Sequence, residues 1–554
     1  MSRLDRVERA VVAVTAVALL ARFVGLGARP FHWDEARVGY WTLRSLEIGV
    51  YEYRPVAGGP FLYVVSRRLF ALGLTSDAAA RAPVATIGGL LPLAALLFRR
   101  ERDRATERDR ATGLSDTETV ALALLLALAP PLLYYGRVLR GDLPLAAFAL
   151  VAVGFAWRAH HRADRRALYA GAAAVGLALT TSGFVLAVLG CWLLAVLLTV
   201  DEGRIRGEET TAIRERVRQV AARVGRRRVA LLRGTAVAVV VALSFYVPRG
   251  RTDLSAPASL LAALEAGTVG AVQRFLAVRV LGRHAPPTYT NDHALLPYVA
   301  GTAEVLLAAA LPVVGLAIWG FFRERYAGRS RPLVNFAAYW AGAGLLLFPL
   351  TTEVNQPWVA VHVLAPATVP AAVGLAALWN AAAESIATDE AARLAVALLL
   401  LSAAGVHTGA VVAGEVYDAP EAGDALPGYA QPGTEFRAPA AAIERAVTAG
   451  DGVDVLYVGA DLAVADESTL DRAPVPEAAR GAFSARLPLA WYVERAGAET
   501  ASLDAPSAMG ESAPPVVVTT PAHRRAVADR LSGYERYEIE QGLTGQRLVV
   551  FVES

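Results

Sequence analysis

Eleven apolar runs divide the sequence, and they constrain its fold more than any other feature. A helix needs about 20 predominantly apolar residues to cross a bilayer. The runs lie at 10–28, 82–98, 119–135, 142–157, 167–181, 183–200, 230–247, 298–321, 333–350, 358–379 and 393–413. The fifth and sixth runs meet at Gly183 and its hydroxyl-bearing neighbours, which suit a tight turn between two helices. The sequence therefore predicts a polytopic α-helical membrane protein with about 11 transmembrane helices.

The composition supports this class and excludes others. Hydrophobic residues make up 55% of the 554 residues and the mean hydropathy is +0.40, which is too apolar for a soluble protein. Cys191 is the single cysteine, so the chain can form neither an internal disulfide nor a cysteine-based metal site. The Arg-rich stretch 204–233 has no interleaved aromatic residues and adjoins membrane spans, so it predicts an inner-side anchor and no nucleic-acid partner.

The distribution of Arg residues predicts how the helices are oriented. The sequence has no lysine, and 28 Arg fall in the loops assigned to the cytoplasmic side against 14 in the outer loops. Because cytoplasmic loops carry an excess of basic residues, we expect a multi-pass cell-membrane protein with a cytoplasmic N-terminus. An odd number of spans then places the C-terminal region outside the cytoplasm.

The charge balance changes sharply near Gly414. From there onward 22 acidic residues and 11 Arg give a net charge of −11, whereas the preceding residues carry +14. We therefore predict a transmembrane domain at 1–413 and a small extracytoplasmic α/β domain at 414–554. Strand-like runs lie at 453–458, 515–519 and 546–552, and helix-like runs at 437–449 and 522–532. Because it lacks a phosphate loop, a nucleophile elbow and metal-ligand spacing, we interpret this domain as a binding or structural module.

The first predicted outer loop opens with an acidic pair, Asp34 and Glu35, between aromatic residues. Aromatic residues of this kind favour the headgroup layer of a membrane. Two adjacent carboxylates at that depth are costly to desolvate unless they are paired or used. A solvated loop end that happens to be acidic explains the pair equally well.

Polar residues form four clusters on the predicted outer side. The clusters are Asp34 with Glu35, Arg137 and Arg140 with Asp142, His284 to Glu304, and Glu353 to His362. Simpler explanations exist for single residues, because Asp142 suits a helix N-cap and His362 suits a buried core position. Glu304 lies inside an apolar run, where an ionisable residue is a functional candidate by default. Together the clusters predict a site for acid–base chemistry on a charged, membrane-borne substrate.

Four motifs, in this order, resemble those of the GT-C polytopic glycosyltransferases, which include protein O-mannosyltransferases and aminoarabinose lipid A transferases. They are HWDEA at 32–36, YYGRVLRGDLPLA at 134–146, EVNQPWVAVH at 353–362 and PLAWY at 488–492. The last two motifs are similar to those of an archaeal branch identified as flippase-activity-associated proteins of the protein-glycosylation pathway. The resemblance extends over nearly the whole chain.

The resemblance implies an inverting glycosyltransferase that takes a sugar from a polyprenyl (dolichyl) phosphate-linked donor and passes it to a protein or lipid acceptor at the outer face. It implies Asp34 as general base, Glu35 as a residue that orients the acceptor or a metal, and Asp142 as the catalytic group opposite. The candidate substrate-binding residues are Arg137, Arg140, His284, Glu304, Glu353, Trp358 and His362. Such proteins often carry a Lys between the fifth and sixth spans, which 181–183 lack, so we expect Arg to bind the lipid phosphate.

Two other functions stay open at this point. The first is a non-catalytic flippase, or flippase-associated partner, for lipid-linked sugars. The second is a structural sensor whose C-terminal domain binds a ligand, which we rank last because no signalling domain lies on the predicted inner side. The residues require no cofactor, although a divalent cation held by Asp34 and Asp142 is compatible with them.

Overall fold

The computed structural model describes residues 4–53, 58–100, 113–162, 164–205, 218, 222, 225–250, 257–276, 295–326, 330–350, 356–419, 424–427, 431–447, 452–471, 475–541 and 546–554. Structural statements concern these residues alone. Two candidate site residues, His284 and Glu353, lie outside them.

All eleven predicted membrane segments are helical. In chain order the helices are α1 (Arg6–Phe23), α2 (Trp33–Glu47), α3 (Pro60–Phe70), α4 (Asp77–Phe98), α5 (Asp116–Leu128), α6 (Pro130–Tyr135), α7 (Asp142–Arg162), α8 (Arg165–Thr181), α9 (Val185–Ile205), α10 (Arg228–Tyr246), α11 (Pro257–Gly267), α12 (Val269–Phe275), α13 (Leu295–Tyr326), α14 (Pro332–Leu347), α15 (Val359–Thr388) and α16 (Ala391–Val411). The helices α2, α3, α11 and α12 lie in the connections between these segments, and α5 with α6 forms one broken segment.

Seven helices in the described part of the chain are long and apolar enough to cross a membrane, namely α4, α7, α10, α13, α14, α15 and α16. The other predicted spans are helices that carry more charge or have a shorter apolar part. Helix α15 lies at the centre of the bundle and is buried along most of its length. Helix α16 is almost entirely exposed, as suits an apolar helix in contact with lipid.

Ion pairs join helix ends at one end of the bundle. Arg99, at the end of α4, lies 2.6 Å from a carboxylate oxygen of Asp5 and 2.9 Å from one of Asp116. Arg331, just before α14, lies 2.8 Å from Glu118 of α5. All five residues come from loops predicted to lie on the same side of the membrane, so the predicted alternation of loops agrees with these contacts.

A buried Arg supports the break between α5 and α6. Pro130 and Pro131 have no N–H, so the carbonyl groups of Leu126 and Ala127 lose the donors that a continuous helix would supply. The fully buried Arg22 donates to both carbonyl oxygens, at 3.4 and 3.1 Å. The break redirects the chain into the loop that precedes Asp142, so Arg22 helps to position that loop.

The C-terminal domain contains a five-stranded sheet with strand order β2-β1-β3-β5-β4. The strands are β1 (Val455–Val458), β2 (Thr500–Leu503), β3 (Val516–Thr519), β4 (Tyr534–Gln541) and β5 (Gln546–Glu553), and the helices are α17 (Arg437–Ala446), α18 (Glu477–Arg486), α19 (Leu489–Arg495) and α20 (Arg524–Ala528). Strand β1 pairs in parallel with β2 and β3, and β5 pairs antiparallel with β3 and β4. The predicted α/β domain is confirmed. The edge strands β2 and β4 escape sequence prediction because their polar residues interrupt the apolar pattern of a buried strand.

Candidate functional site

Asp34 lies in the first turn of α2, and hydrogen bonds between neighbouring residues fix this helix start. The N–H of Asp34 donates to Nδ1 of His32 at 3.1 Å, and the N–H of His32 donates to Oε2 of Glu35 at 3.0 Å. These bonds satisfy donors that the start of a helix otherwise leaves free. The Asp34 side chain, 19% exposed, is therefore held at a defined position at the N-terminal start of α2.

Arg140 connects Asp34 to Asp142. Its guanidinium donates to Oδ2 of Asp34, and its Nε lies 2.9 Å from Oδ2 of Asp142. Nε2 of His362 lies 3.3 Å from the other oxygen of Asp142, and the Arg140 guanidinium packs 3.5 Å from the centre of the Trp358 ring. Five predicted site residues thus form one group, which we call the Asp34–Arg140 cluster.

Charge keeps Asp34 ionised within this cluster. Burial alone would raise the pKa of its carboxyl group, but Arg140 and Arg37 beside it hold the pKa well below the usual range. Nη2 of Arg37 lies 2.8 Å from Oδ1 of Asp34. Burial opposes the charge of Arg140, yet Asp142 and Asp34 raise its pKa. The cluster is a set of mutually neutralising charges that remains partly open to solvent through Asp34 and the two Arg side chains.

Glu35, the second member of the acidic pair, lies in a closed environment. It is fully buried and receives two hydrogen bonds from Arg81, at 2.7 and 2.6 Å. The N–H of Leu139 adds a third bond at 2.6 Å. Burial disfavours the ionised form, but Arg81 lowers the pKa of Glu35. These contacts tie the first loop to α4 and to the loop before Asp142, which suits a residue that positions other groups.

Two further predicted residues, Arg137 and Glu304, lie apart from the cluster. Nη1 of Arg137 donates to the carbonyl oxygens of Ala21 and Val24 at 2.8 and 2.7 Å, so this side chain caps the end of α1. Glu304 is exposed on α13, and no hydrogen bond or ion pair links it to the described residues of the cluster. Neither placement tests the predicted roles of these two residues in substrate binding.

A metal ion would have to compete with Arg140. No group of three or more His, Cys, Asp or Glu side chains that could hold a metal ion occurs within the described ranges. Because Arg140 donates to both Asp34 and Asp142, a divalent cation bound by this pair would displace the guanidinium. A cation at this position stays a prediction.

Sequence reasoning does not single out His32, Arg37 or Arg81. Arg37 follows Asp34 by three residues, a spacing that brings side chains together on one face of a helix. Arg81 lies at the edge of an apolar run, where a buried cation requires a carboxylate or backbone carbonyl partner. Applied to every Arg residue, these two rules would have marked Arg37 and Arg81 as candidates, but they would not have identified Glu35 as the partner of Arg81.

The C-terminal domain packs directly on the loop that precedes α2 and Asp34. The Trp491 ring stacks on the ring of Phe31 with centroids 5.0 Å apart, and the N–H of Phe31 donates to the Tyr492 hydroxyl oxygen at 2.9 Å. Asp77, at the start of α4, accepts hydrogen bonds from both Trp491 and Tyr492 at 3.0 Å. The motif at 488–492 therefore connects the domain to the first loop and to α4.

Helix α2 forms the other half of this contact. A Cβ atom on Gly39 would lie 2.6 Å from a carbon of the Trp491 ring, so the two elements can approach this closely only because position 39 has no side chain. Between the domains, Nη2 of Arg29 donates to the carbonyl oxygen of Glu415 at 2.9 Å, and Gln431 donates to that of Pro30 at 2.9 Å. The C-terminal domain is thus fixed to the base of the candidate site.

The contact between the domain and α2 contains a carboxyl group with a raised pKa. Glu494 on α19 lies 3.1 Å from Nε of Arg44 on α2, but Arg44 also lies 2.7 Å from Glu47 and 3.9 Å from Asp471. Burial raises the pKa of Glu494 to about 7, and repulsion by Glu47 and Asp471 works against the attraction of the shared Arg44.

We expect the docked C-terminal domain to become less stable as the pH rises from 4.5 to about 7. In this window the folded protein binds a proton that the unfolded Glu494 carboxyl group has lost, so the free energy of unfolding falls by about 1.4 kcal/mol per unit of pKa difference. Glu494→Gln has no proton to lose and should flatten this dependence. Thermal unfolding of both forms at about pH 5 and about pH 8 is the measurement. An identical pH dependence in both forms would contradict the assignment.

The whole chain is similar in fold to a solved membrane protein. ArnT from Cupriavidus metallidurans, bound to undecaprenyl phosphate, aligns with 98% of this chain over 97% of its own length, with a TM-score of 0.56 and 18% identity. The same protein in the apo state aligns with the same coverage, a TM-score of 0.58 and 18% identity. In sequence, residues 436–553 match the family described as Agl23 flippase-associated protein C-terminal domain. No curated protein matches the chain in sequence.

The helices, the sheet domain and these similarities define a polytopic membrane protein with a GT-C-like fold, which it shares with ArnT. Within the C-terminal domain, the similarity to the Agl23 flippase-associated protein C-terminal domain family covers residues 436–553. The resemblance to GT-C proteins and to the flippase-associated branch is therefore confirmed.

Proposed function

We propose that this protein is a membrane glycosyltransferase that moves a sugar from a polyprenyl phosphate-linked donor to a protein or lipid acceptor. The Asp34–Arg140 cluster carries this proposal, because it places a partly exposed carboxylate beside a phosphate-binding side chain. Arg recognises phosphate oxygens through paired N–H groups. The fold shared with a protein solved in complex with undecaprenyl phosphate supports a donor of this class.

In the proposed reaction, the acceptor O–H or N–H attacks C1 of the sugar and its proton passes to Asp34. The bond between C1 and the phosphate oxygen breaks, and the polyprenyl phosphate leaves. Arg140 neutralises the charge that develops on the departing phosphate. Asp142 holds the other side of Arg140 through its 2.9 Å contact, and His362 supports Asp142.

Arg140 also links donor binding to the basicity of Asp34. The guanidinium depresses the pKa of Asp34 while it donates to that carboxylate. An arriving phosphate that draws donors of Arg140 away lets the pKa of Asp34 rise, so that the carboxylate becomes a better base. The base is therefore strengthened when the donor is present.

The proposed orientation follows the predicted distribution of Arg. The N-terminus lies in the cytoplasm, and the cluster and the C-terminal domain lie on the outer face of the cell membrane. A polyprenyl chain in the outer leaflet then brings its headgroup to the level of the cluster.

A second candidate function is that of a non-catalytic partner in the movement of lipid-linked sugars across the membrane. The match of residues 436–553 to a flippase-associated domain favours it. In that case the same charges bind a headgroup without breaking the bond to the sugar.

Purified protein in liposomes distinguishes the two functions. The vesicles contain dolichyl phosphate mannose with a radiolabelled sugar and an acceptor-rich membrane extract. Appearance of the label on the acceptor, with release of dolichyl phosphate, supports the transferase. Movement of labelled lipid between leaflets without transfer supports the partner role. If neither transfer nor movement is detected, both proposed functions are contradicted. Parallel reactions with EDTA test the cation prediction.

A further inference from the structure

The imidazole ring of His32 has a defined tautomer. Its Nδ1 accepts the hydrogen bond from the N–H of Asp34 at 3.1 Å, so Nδ1 carries a lone pair and no proton. A charged imidazole carries a proton on both nitrogens, so a ring that accepts a hydrogen bond at Nδ1 is neutral. In a neutral imidazole with a bare Nδ1, the proton must be on Nε2.

This Nε2–H group has no hydrogen-bond partner in the part of the chain that the structure describes. The His32 side chain is 4% exposed, and its Nε2 atom is buried without an acceptor among the described residues. Buried donors are almost always satisfied in folded proteins, so an unpaired one calls for a physical reason. The His32 and Trp358 rings are nearly perpendicular, with centroids 6.0 Å apart, which places His32 beside the Asp34–Arg140 cluster.

Capping of α2 does not explain the choice of residue. Of the ring atoms only Nδ1 takes part in the cap, and Asn, Asp and Ser are all preferred over His as capping residues. The imidazole differs from these residues in carrying a second polar atom further from the backbone. The unpaired Nε2–H is therefore the feature that distinguishes His32 from an ordinary cap.

We propose that His32 is a ligand-binding residue whose Nε2–H donates a hydrogen bond to an oxygen atom of the donor headgroup. This inference rests on the proposed function and adds a contact to it. The headgroup offers two sources of acceptor oxygen, the phosphate and the sugar hydroxyls. In either case the ligand supplies the acceptor that the protein lacks, and the cap through Nδ1 keeps the ring in place.

Two variants separate the two nitrogen atoms. In His32→Asn the amide oxygen takes the place of Nδ1 and keeps the cap, but no donor remains at the position of Nε2. In His32→Gln the amide N–H group reaches the position of Nε2, while the cap is lost. The first variant should unfold like the wild type, and the second should unfold at a lower temperature.

The experiment measures equilibrium binding of dolichyl phosphate and of dolichyl phosphate mannose to the purified proteins. We expect His32→Asn to bind about 5- to 100-fold more weakly, the range for loss of one hydrogen bond to a neutral or charged acceptor. Equal weakening for both lipids identifies a phosphate oxygen, and weakening for the mannosyl lipid alone identifies a sugar hydroxyl. His32→Gln should retain binding better than His32→Asn.

Unchanged binding of both lipids by His32→Asn would overturn the assignment while leaving the proposed function intact. A wild-type protein that binds neither lipid would overturn both. Because binding is measured without turnover, a protein that binds the lipids but transfers no sugar still supports the role of His32.

Discussion

Replacing Asp34 with Asn should lower the rate of sugar transfer by about 10²- to 10⁴-fold, the usual contribution of a positioned general base. The amide keeps the shape of the side chain but cannot take the acceptor proton. It also removes the carboxylate partner of Arg37 and one of the two carboxylates that hold Arg140, so the phosphate of the donor meets less competition for both guanidinium groups. Transfer should therefore fall while affinity for dolichyl phosphate stays the same or rises.

Asp142→Asn provides a second test of the same cluster. Loss of the Asp142 carboxylate weakens the contact that holds Arg140 and removes the carboxylate partner of His362, so both donor binding and transfer should fall. Asp5→Asn is a matched control, because this exposed carboxylate pairs with Arg99 at the opposite end of the bundle. Wild-type transfer by Asp34→Asn in correctly inserted protein would exclude Asp34 as the base.

The largest effect on stability is expected from Arg81→Met. The substitution leaves the Glu35 carboxylate buried without its guanidinium, and breaking a buried ion pair from one side costs about 3–5 kcal/mol. Glu35 is 0% exposed and Arg81 2%, so water cannot replace the lost partner. Chemical unfolding in detergent, followed by the loss of helical circular dichroism, measures the change.

A paired substitution separates the stranded charge from the loss of packing. The double variant Glu35→Gln with Arg81→Met removes the charge as well, and should recover a substantial part of the lost stability. Arg393→Met is the control, because its pair with Glu384 is exposed and such pairs contribute about 0–1 kcal/mol. Equal losses in the free energy of unfolding for Arg81→Met and Arg393→Met would mean that the buried pair stabilises the protein no more than an exposed pair.

The apolar runs carry enough information to locate the helices of the eleven predicted membrane segments. A run of this length has few alternatives to a helix in lipid, because no water is present to satisfy the backbone. The grouping of Asp34, Arg140 and Asp142 follows from the same pattern. Once the loops alternate between sides, charged residues at the same end of neighbouring helices become candidate partners for one another.

The pattern of apolar runs cannot predict that Asp34 is partly exposed in the cluster while Glu35 is buried against Arg81. The two residues are adjacent and chemically alike, and what separates them is Arg81, which lies 46 positions away from Glu35 on α4. The position of the C-terminal domain is equally hidden, because it depends on contacts between Phe31 and Trp491 across most of the chain. Local periodicity contains no information on pairings of this range.

The arrangement around Arg22 links residues in two helices to one another. A buried guanidinium that has no carboxylate partner in the membrane domain needs backbone carbonyl oxygens as acceptors. The carbonyl oxygens of Leu126 and Ala127 can accept from Arg22 because Pro130 and Pro131 supply no N–H to them. Replacing the two prolines alone would leave the Arg22 guanidinium buried without these acceptors, and replacing Arg22 alone would leave the two carbonyl oxygens buried without a donor. In related chains, Arg22 and the Pro130–Pro131 pair should therefore be inherited or lost together.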